Sequence, residues 1–189
     1  MNNSNNHRKL LALATAAVVG AAYAVLTVAL APISYGALQF RVSEVLCILP
    51  YFMPVTAWGL FAGCAVANIL TGNIFDIVFG SLATLLAGLC TAAIGKRRRT
   101  VGNSVLACLM PVVFNAVIVG AVITAAYEGV NIFQHPEAFA LNALSVGFGE
   151  LVVLFVLGLP LTRLLPTKKF FTDFLTKLGY PLDKDGQQE

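Results

Sequence analysis

Charge is what this chain has least of. Lys and Arg number 12 and Asp and Glu 9, so that 11% of its 189 residues are charged. A soluble domain carries about a quarter. Hydrophobic residues make up 58% of the chain and the mean hydropathy is +0.83. A water-soluble fold of this length leaves roughly 30% of its unfolded-chain surface wet, and too little polar surface exists here to cover that area. This excludes an ordinary soluble domain and points to a bilayer. Histidine is nearly as scarce. His7 lies near the start and His135 in a polar stretch, which argues against a histidine metal site. Cys47, Cys64, Cys90 and Cys108 each sit in apolar sequence with no C-x-x-C pair, and they read as packed free thiols. The first apolar run is too long for a signal h-region and no A-x-A site closes it, so no cleaved leader is expected. There is no G-x-x-x-x-G-K-[ST] loop, no H-E-x-x-H and no G-x-S-x-G, so neither ATP hydrolysis nor a familiar hydrolase site is written in the chain. No cofactor, metal or nucleic-acid partner is expected, and the chain is not read as an enzyme.

Long apolar runs are what is present. A spanning helix needs roughly 20 apolar residues. Residues 10–33 form one run that ends near Pro32. Apolar sequence resumes at 45 and continues to 70, interrupted by Pro50 and Pro54. That stretch is too long for one straight span, and each proline removes a backbone donor. It is therefore read as two segments, 43–53 and 54–70. TGNIFD (71–76) reads as a turn. Further spans are expected over 77–94, 101–127 and 138–165, separated by the basic KRRRT (96–100) and the polar EGVNIFQHPE (128–137).

Basic residues cluster at His7-Arg8-Lys9, at 96–99, and at Arg163, Lys168 and Lys169. Six crossings place all three clusters on one face, as the positive-inside rule requires. The expected fold is an all-α integral membrane protein: a six-transmembrane-helix bundle with N- and C-termini cytoplasmic. Residues 1–165 would form the membrane domain and 166–189 a cytoplasmic C-terminal tail. Within that tail, Phe170, Phe171, Phe174, Leu175 and Leu178 share one helical face, a pattern suited to a helix on the inner membrane surface. The last seven residues, DKDGQQE, are read as disordered.

Ala12, Ala16, Gly20 and Ala24 recur every four residues in the first run, and Gly59, Gly63 and Ala67 repeat the device in the third. Small residues let a second helix approach closely. Such stripes serve packing within a bundle; the first is also a candidate docking surface for an external partner.

A charge near mid-bilayer costs about 2.5–3.5 kcal/mol on insertion scales, so each polar residue in an apolar run needs a reason. Glu150 and Asn115 fall in mid-span. Arg41, Glu44, Asn68, Asp76 and Asn142 map to the outer half of the six-span arrangement. Polar residues on one side describe a pocket open to the outside rather than a through-pore, which needs polar lining along its whole length. Alternatives stand beside these readings. Asp76 could cap a helix, Arg41 and Glu44 could pair only with each other, and Asn68 and Asn115 could be interhelical hydrogen-bond glue. Glu150 has no basic residue in the first, third, fourth or fifth span to pair with. It pairs with Arg41, is protonated, or meets a ligand.

The stretches YGALQFRVSEVLCILPYF, GCAVANILTGNIFDIVFGSLATLLAG, PVVFNAVIVG and GFGELVVLFVLGLPL resemble, in that order, blocks of the QueT-type family. Its members are substrate-binding S components of energy-coupling factor (ECF) transporters, associated with queuosine precursors. The resemblance covers about two thirds of the chain. It implies a bacterial plasma-membrane protein that binds a 7-deazaguanine, such as the aminomethyl compound preQ1 or queuine, at its outer face. It also implies a transmembrane T component and two cytoplasmic ATPases as partners, docked on small residues of the first helix, here Ala12, Ala16, Gly20 and Ala24. A guanine edge offers two adjacent donors that a carboxylate accepts, an aminomethyl cation wants a second carboxylate, and a flat ring wants an aromatic or Arg plane. Glu150, Glu44 and Asp76 would be the acceptors, Asn115, Asn68 and Arg41 the donors, and Tyr35 with Phe40 or Phe148 the stacking faces. Gln39 and Asn142 complete the candidate ligand contacts, and the 35–44 stretch would act as a lid. A stand-alone secondary permease is the competing class, though no inverted repeat is evident. An S component for another vitamin-like solute shares the same architecture.

Overall fold

The computed structural model describes residues 2–34, 40–69, 72, 74–97 and 100–182, and within these the secondary structure is helical apart from one bridge residue at Leu182. Helix α1 (Asn2–Ala29) is followed by one short turn of helix, α2 (Ala31–Ser34), with Pro32 in the first turn, where a missing N–H costs nothing. A 3-10 helix follows over Val42–Tyr51, then α3 over Thr56–Ile69. A π-helical turn (Asp76–Gly80) leads into α4 (Ser81–Gly95). Helix α5 (Val101–Val122) starts where the Thr100 hydroxyl accepts the Asn103 amide, an N-cap, and ends in a second π turn, Ile123–Tyr127. Helix α6 (Pro136–Val153) has proline at its start and runs through a third π turn (Leu154–Gly158) into α7 (Leu159–Leu164). Helix α8 (Lys169–Leu178) closes at Gly179, whose φ of 87° is left-handed. Gly179 and Tyr180 donate back to the carbonyls of Thr176 and Leu175, a Schellman ending that requires glycine.

Among the described residues, four helical stretches are long and apolar enough to cross a membrane: Asn5–Ala29, Asp76–Gly95, Val101–Tyr127 and Pro136–Thr167. This corrects the six-helix expectation. The segments read as spans two and three are the shorter helices Val42–Tyr51 and Thr56–Ile69, of 10 and 14 residues. At about 2.0 Å per residue for a 3-10 helix and 1.5 Å for an α-helix, each reaches only about 20 Å, against about 30 Å of hydrocarbon. The charge argument was blind to this error. It tests only whether an even number of crossings separates the basic clusters, and the first span plus one crossing between residues 35 and 95 satisfies it as well as the first span plus three.

The 3-10 helix is largely buried, and α3 packs by one face, with Trp58, Val66 and Ile69 left exposed on the other. Helix α3 lies against α1 with glycine at the crossing. A Cβ on Gly59 would overlap the backbone of Ala16, and one on Gly63 the backbone of Gly20. The small-residue stripe of α1 therefore faces α3, with Ala16 and Gly20 buried and Ala12 and Ala24 half-buried. Helices α5 and α6 approach in the same way, Gly120 against the Ala143 backbone. Ile48 of the 3-10 helix packs with Cys108 and Val112 of α5 and with Leu154. At one end Tyr51, Phe52, Met53, Ile94 and Ala107 form an apolar cluster closed by Leu175 and Leu178 of α8. So α8 has much of its apolar face against the bundle, while Phe170 stays 84% exposed. Leu13, Val18, Val25, Val117, Leu141, Leu144 and Val156 are exposed along the long helices, as an apolar solvent allows.

Candidate functional site

Polar side chains gather between the helices in three groups. The first joins α1 to the 3-10 helix. Residues 16, 20, 23 and 27 share the buried face of α1, which places Tyr23 and Thr27 beyond the glycine crossing. The Tyr23 hydroxyl donates to Glu44 Oε1 at 2.5 Å. Arg41 Nη1 stands 3.8 Å from the same oxygen, and Cys47 Sγ donates to Oε2 at 2.9 Å. Every neighbour of the Glu44 side chain in this set is a donor, as an acceptor-only carboxylate needs. Thr27 Oγ1 donates to the Tyr23 carbonyl at 2.9 Å and lies 2.6 Å from Ser43 Oγ. A hydroxyl has one hydrogen to give, so Ser43 is the donor in that second contact. Burial works against the charge on Arg41. Glu44, 3.8 Å away, is the anion that offsets that cost.

The second group joins α5 to α6. Asn115 Nδ2 donates to Glu150 Oε1 at 2.9 Å. Both residues are buried, at 1% and 3% exposure. The pair stands one helical turn from Val112 and Leu154, where Ile48 packs, so an apolar floor lies beside it. Among the described residues, Glu150 Oε2 and Asn115 Oδ1 are buried without a hydrogen-bond partner. Leaving a buried acceptor unpaired costs about 1–3 kcal/mol.

The third group gathers at the end of the bundle where two π turns meet. Tyr127 donates to Asp76 Oδ2 at 3.1 Å, and Asn68 Nδ2 donates to the Asp76 carbonyl at 3.0 Å. Nearby on α6, Asn142 Nδ2 donates to Thr124 Oγ1 and to Glu128 Oε1, both at 3.0 Å. π-Helical turns re-aim side chains and are frequent at functional sites. Here they carry Asp76, Thr124 and Tyr127.

The structure thus brings together Arg41 with Glu44, Asn115 with Glu150, and Asn68 with Asp76. Asn142 sits apart from Glu150, toward the open end of α6. Tyr35 and Gln39 lie outside the described residues. Phe40 is half-buried, and Phe148 is 56% exposed, facing away from the Asn115–Glu150 contact. Sequence reasoning missed Tyr23, Cys47, Thr124 and Tyr127. A signal for Tyr23 was available: a phenol in an apolar run, in register with Ala16 and Gly20, needs a buried partner for its hydroxyl.

Long apolar helices with ionisable side chains held between them define an all-helical, membrane-spanning protein. Among the described residues no group of three or more His, Cys, Asp or Glu side chains is placed to hold a metal ion. Residues 13–167 match the family model described as QueT transporter, and the chain belongs to that family. The family is one of transporters rather than enzymes. The queuosine precursor transporter QueT of Lactococcus lactis subsp. cremoris (strain MG1363) is 38% identical over 76 residues. That match covers 39% of this chain and 45% of the relative, so it spans less than half of the relative's length. No solved structure matches the chain.

Proposed function

We propose that the chain is the substrate-binding S component of an ECF-type importer, taking a queuosine precursor of the 7-deazaguanine class from outside the cell. Membership of a transporter family supports the class, and the relative's name suggests the solute. The observation that carries the ligand reading is the pair of buried, unpartnered acceptors, Glu150 Oε2 and Asn115 Oδ1. A ligand edge with two adjacent donors relieves both at once. A 7-deazaguanine presents such an edge in its ring N–H and exocyclic amine.

In this reading Glu44 is not the carboxylate that receives the ligand. Tyr23, Arg41 and Cys47 already engage its oxygens, so it serves to hold Arg41 over the site. Asp76, Asn68 and Asn142 line the mouth, and Tyr35 and Gln39 contact the ligand from the lid stretch. The T component and two cytoplasmic ATPases supply the energy in the bacterial plasma membrane. Docking on the α1 stripe would use the flank carrying Ala12 and Ala24, since Ala16 and Gly20 are covered by α3.

The test is mass spectrometry of small molecules that co-purify with the full chain. A deazaguanine mass supports the reading. A flavin or thiamine mass replaces the solute and keeps the class. Uptake by the chain alone in proteoliposomes, without ATP, replaces the class with a secondary permease.

A further inference from the structure

A groove of about 340 Å³ opens on the outer face of the last long helix, lined by Phe155, Leu159, Pro160, Arg163 and Leu164. Its shape follows from the local backbone. Pro160 has no N–H to continue the helical ladder, and the π turn Leu154–Gly158 just before it absorbs the offset. The walls are apolar, and the one charged side chain is Arg163 in the last turn of α7. Arg163 is exposed and has no ion-pair partner among the described residues. The groove lies within the membrane-crossing stretch Pro136–Thr167, and exposed Lys168 and Lys169 follow directly.

We infer that this groove is a binding site for one anionic phospholipid, with an acyl chain along Phe155, Leu159, Pro160 and Leu164 and the phosphate on Arg163. An apolar slot that ends in a cation matches a lipid from tail to headgroup. Basic residues at the end of a span are where anionic headgroups collect. A guanidinium engages a phosphate with two parallel hydrogen bonds while its outer edge stays hydrated at the interface. A partner helix in the same groove would have to desolvate that guanidinium or bring a carboxylate to it. The inference does not rest on the ligand reading above, because the groove and the Asn115–Glu150 pair share no residue.

The test uses the full chain in nanodiscs, with Trp58→Phe removing the native tryptophan and Phe155→Trp placing one in the groove wall. Fluorescence quenching is measured with brominated-acyl phosphatidylglycerol and brominated-acyl phosphatidylcholine. One interfacial cation predicts an about fivefold preference for the anionic lipid. Arg163→Gln removes the preference and Arg163→Lys keeps most of it. Equal quenching by the two lipids, or a preference unchanged in Arg163→Gln, overturns the site. So does quenching by neither lipid with protection only when the importer's other subunits are added, which assigns the groove to a protein helix.

Discussion

Tyr23→Phe removes a single oxygen from a fully buried side chain and leaves its ring in place among Cys47, Leu60 and Cys64. The loss is the hydrogen bond to Glu44 Oε1. Neutral interhelical hydrogen bonds in membrane proteins average about 0.6 kcal/mol, because the unfolded chain in lipid also finds partners. Hydrogen bonds to charged groups contribute about 1.5–3 kcal/mol. The second figure governs here, since the carboxylate is buried and Arg41 at 3.8 Å is too far to replace the lost donor. The expected destabilisation is about 2 kcal/mol. Glu44→Gln should cost at least as much, because one amide oxygen is left where Tyr23, Arg41 and Cys47 share two, and the charge opposite Arg41 is lost. The double mutant should then show a coupling of about 1.5 kcal/mol or more, as contacting groups do. Reversible unfolding in mixed micelles, or steric trapping in bicelles, measures all four corners of the cycle. A single-mutant cost near 0.6 kcal/mol without coupling would refute the argument that Glu44 is a carboxylate held by Tyr23.

Two further predictions concern packing. Gly63→Val should prevent folding, because even a first Cβ would overlap the Gly20 backbone. Gly102→Ala, whose Cβ would meet only the Thr100 hydroxyl at 3.8 Å, should instead stabilise α5 by up to about 1 kcal/mol; expression and thermal unfolding in detergent compare the two. In α8, Leu175→Ala should cost about 2–5 kcal/mol, since Leu175 is buried against Tyr51, Phe52 and Ile94. Phe170→Ala, at a side chain 84% exposed, should leave the unfolding midpoint in detergent within about 0.5 kcal/mol of the parent's.

Much of the architecture was legible in the sequence. The apolar run 101–127 reads as one span, and the helix with its π turn covers Val101–Tyr127. Pro54 marks the break between two helices, whereas Pro50 lies inside the first of them. What the apolar pattern did not carry was length. Residues 43–70 are as apolar as any span, yet a break at Pro54 divides them into a 3-10 helix and a 14-residue helix, neither long enough to cross. The polar residues were easier to find than their partners. Asn115 and Glu150 stood out as expensive groups in oily sequence, and they meet because α5 and α6 run antiparallel with Gly120 against Ala143. That register is a tertiary fact. The partners of Glu44 were invisible for the same reason: Tyr23 lies 21 positions away and looks like any aromatic in a membrane helix. Two π turns set Asp76 and Tyr127 together across 51 positions, and no residue pattern announces a π turn.

The central claim is that Glu150 and Asn115 offer two buried acceptors to the donor edge of a flat heterocycle. Isothermal titration of the purified chain with the aminomethyl 7-deazaguanine tests it most directly. Glu150→Gln keeps the shape and the contact with Asn115 but replaces one acceptor with a donor that opposes the ligand's own. The account predicts a loss of about 2–5 kcal/mol, that is, at least about 30-fold in Kd, with the protein still folded. An unchanged Kd for Glu150→Gln, alongside weakened binding for Glu44→Gln, would contradict it and move the site to the other carboxylate.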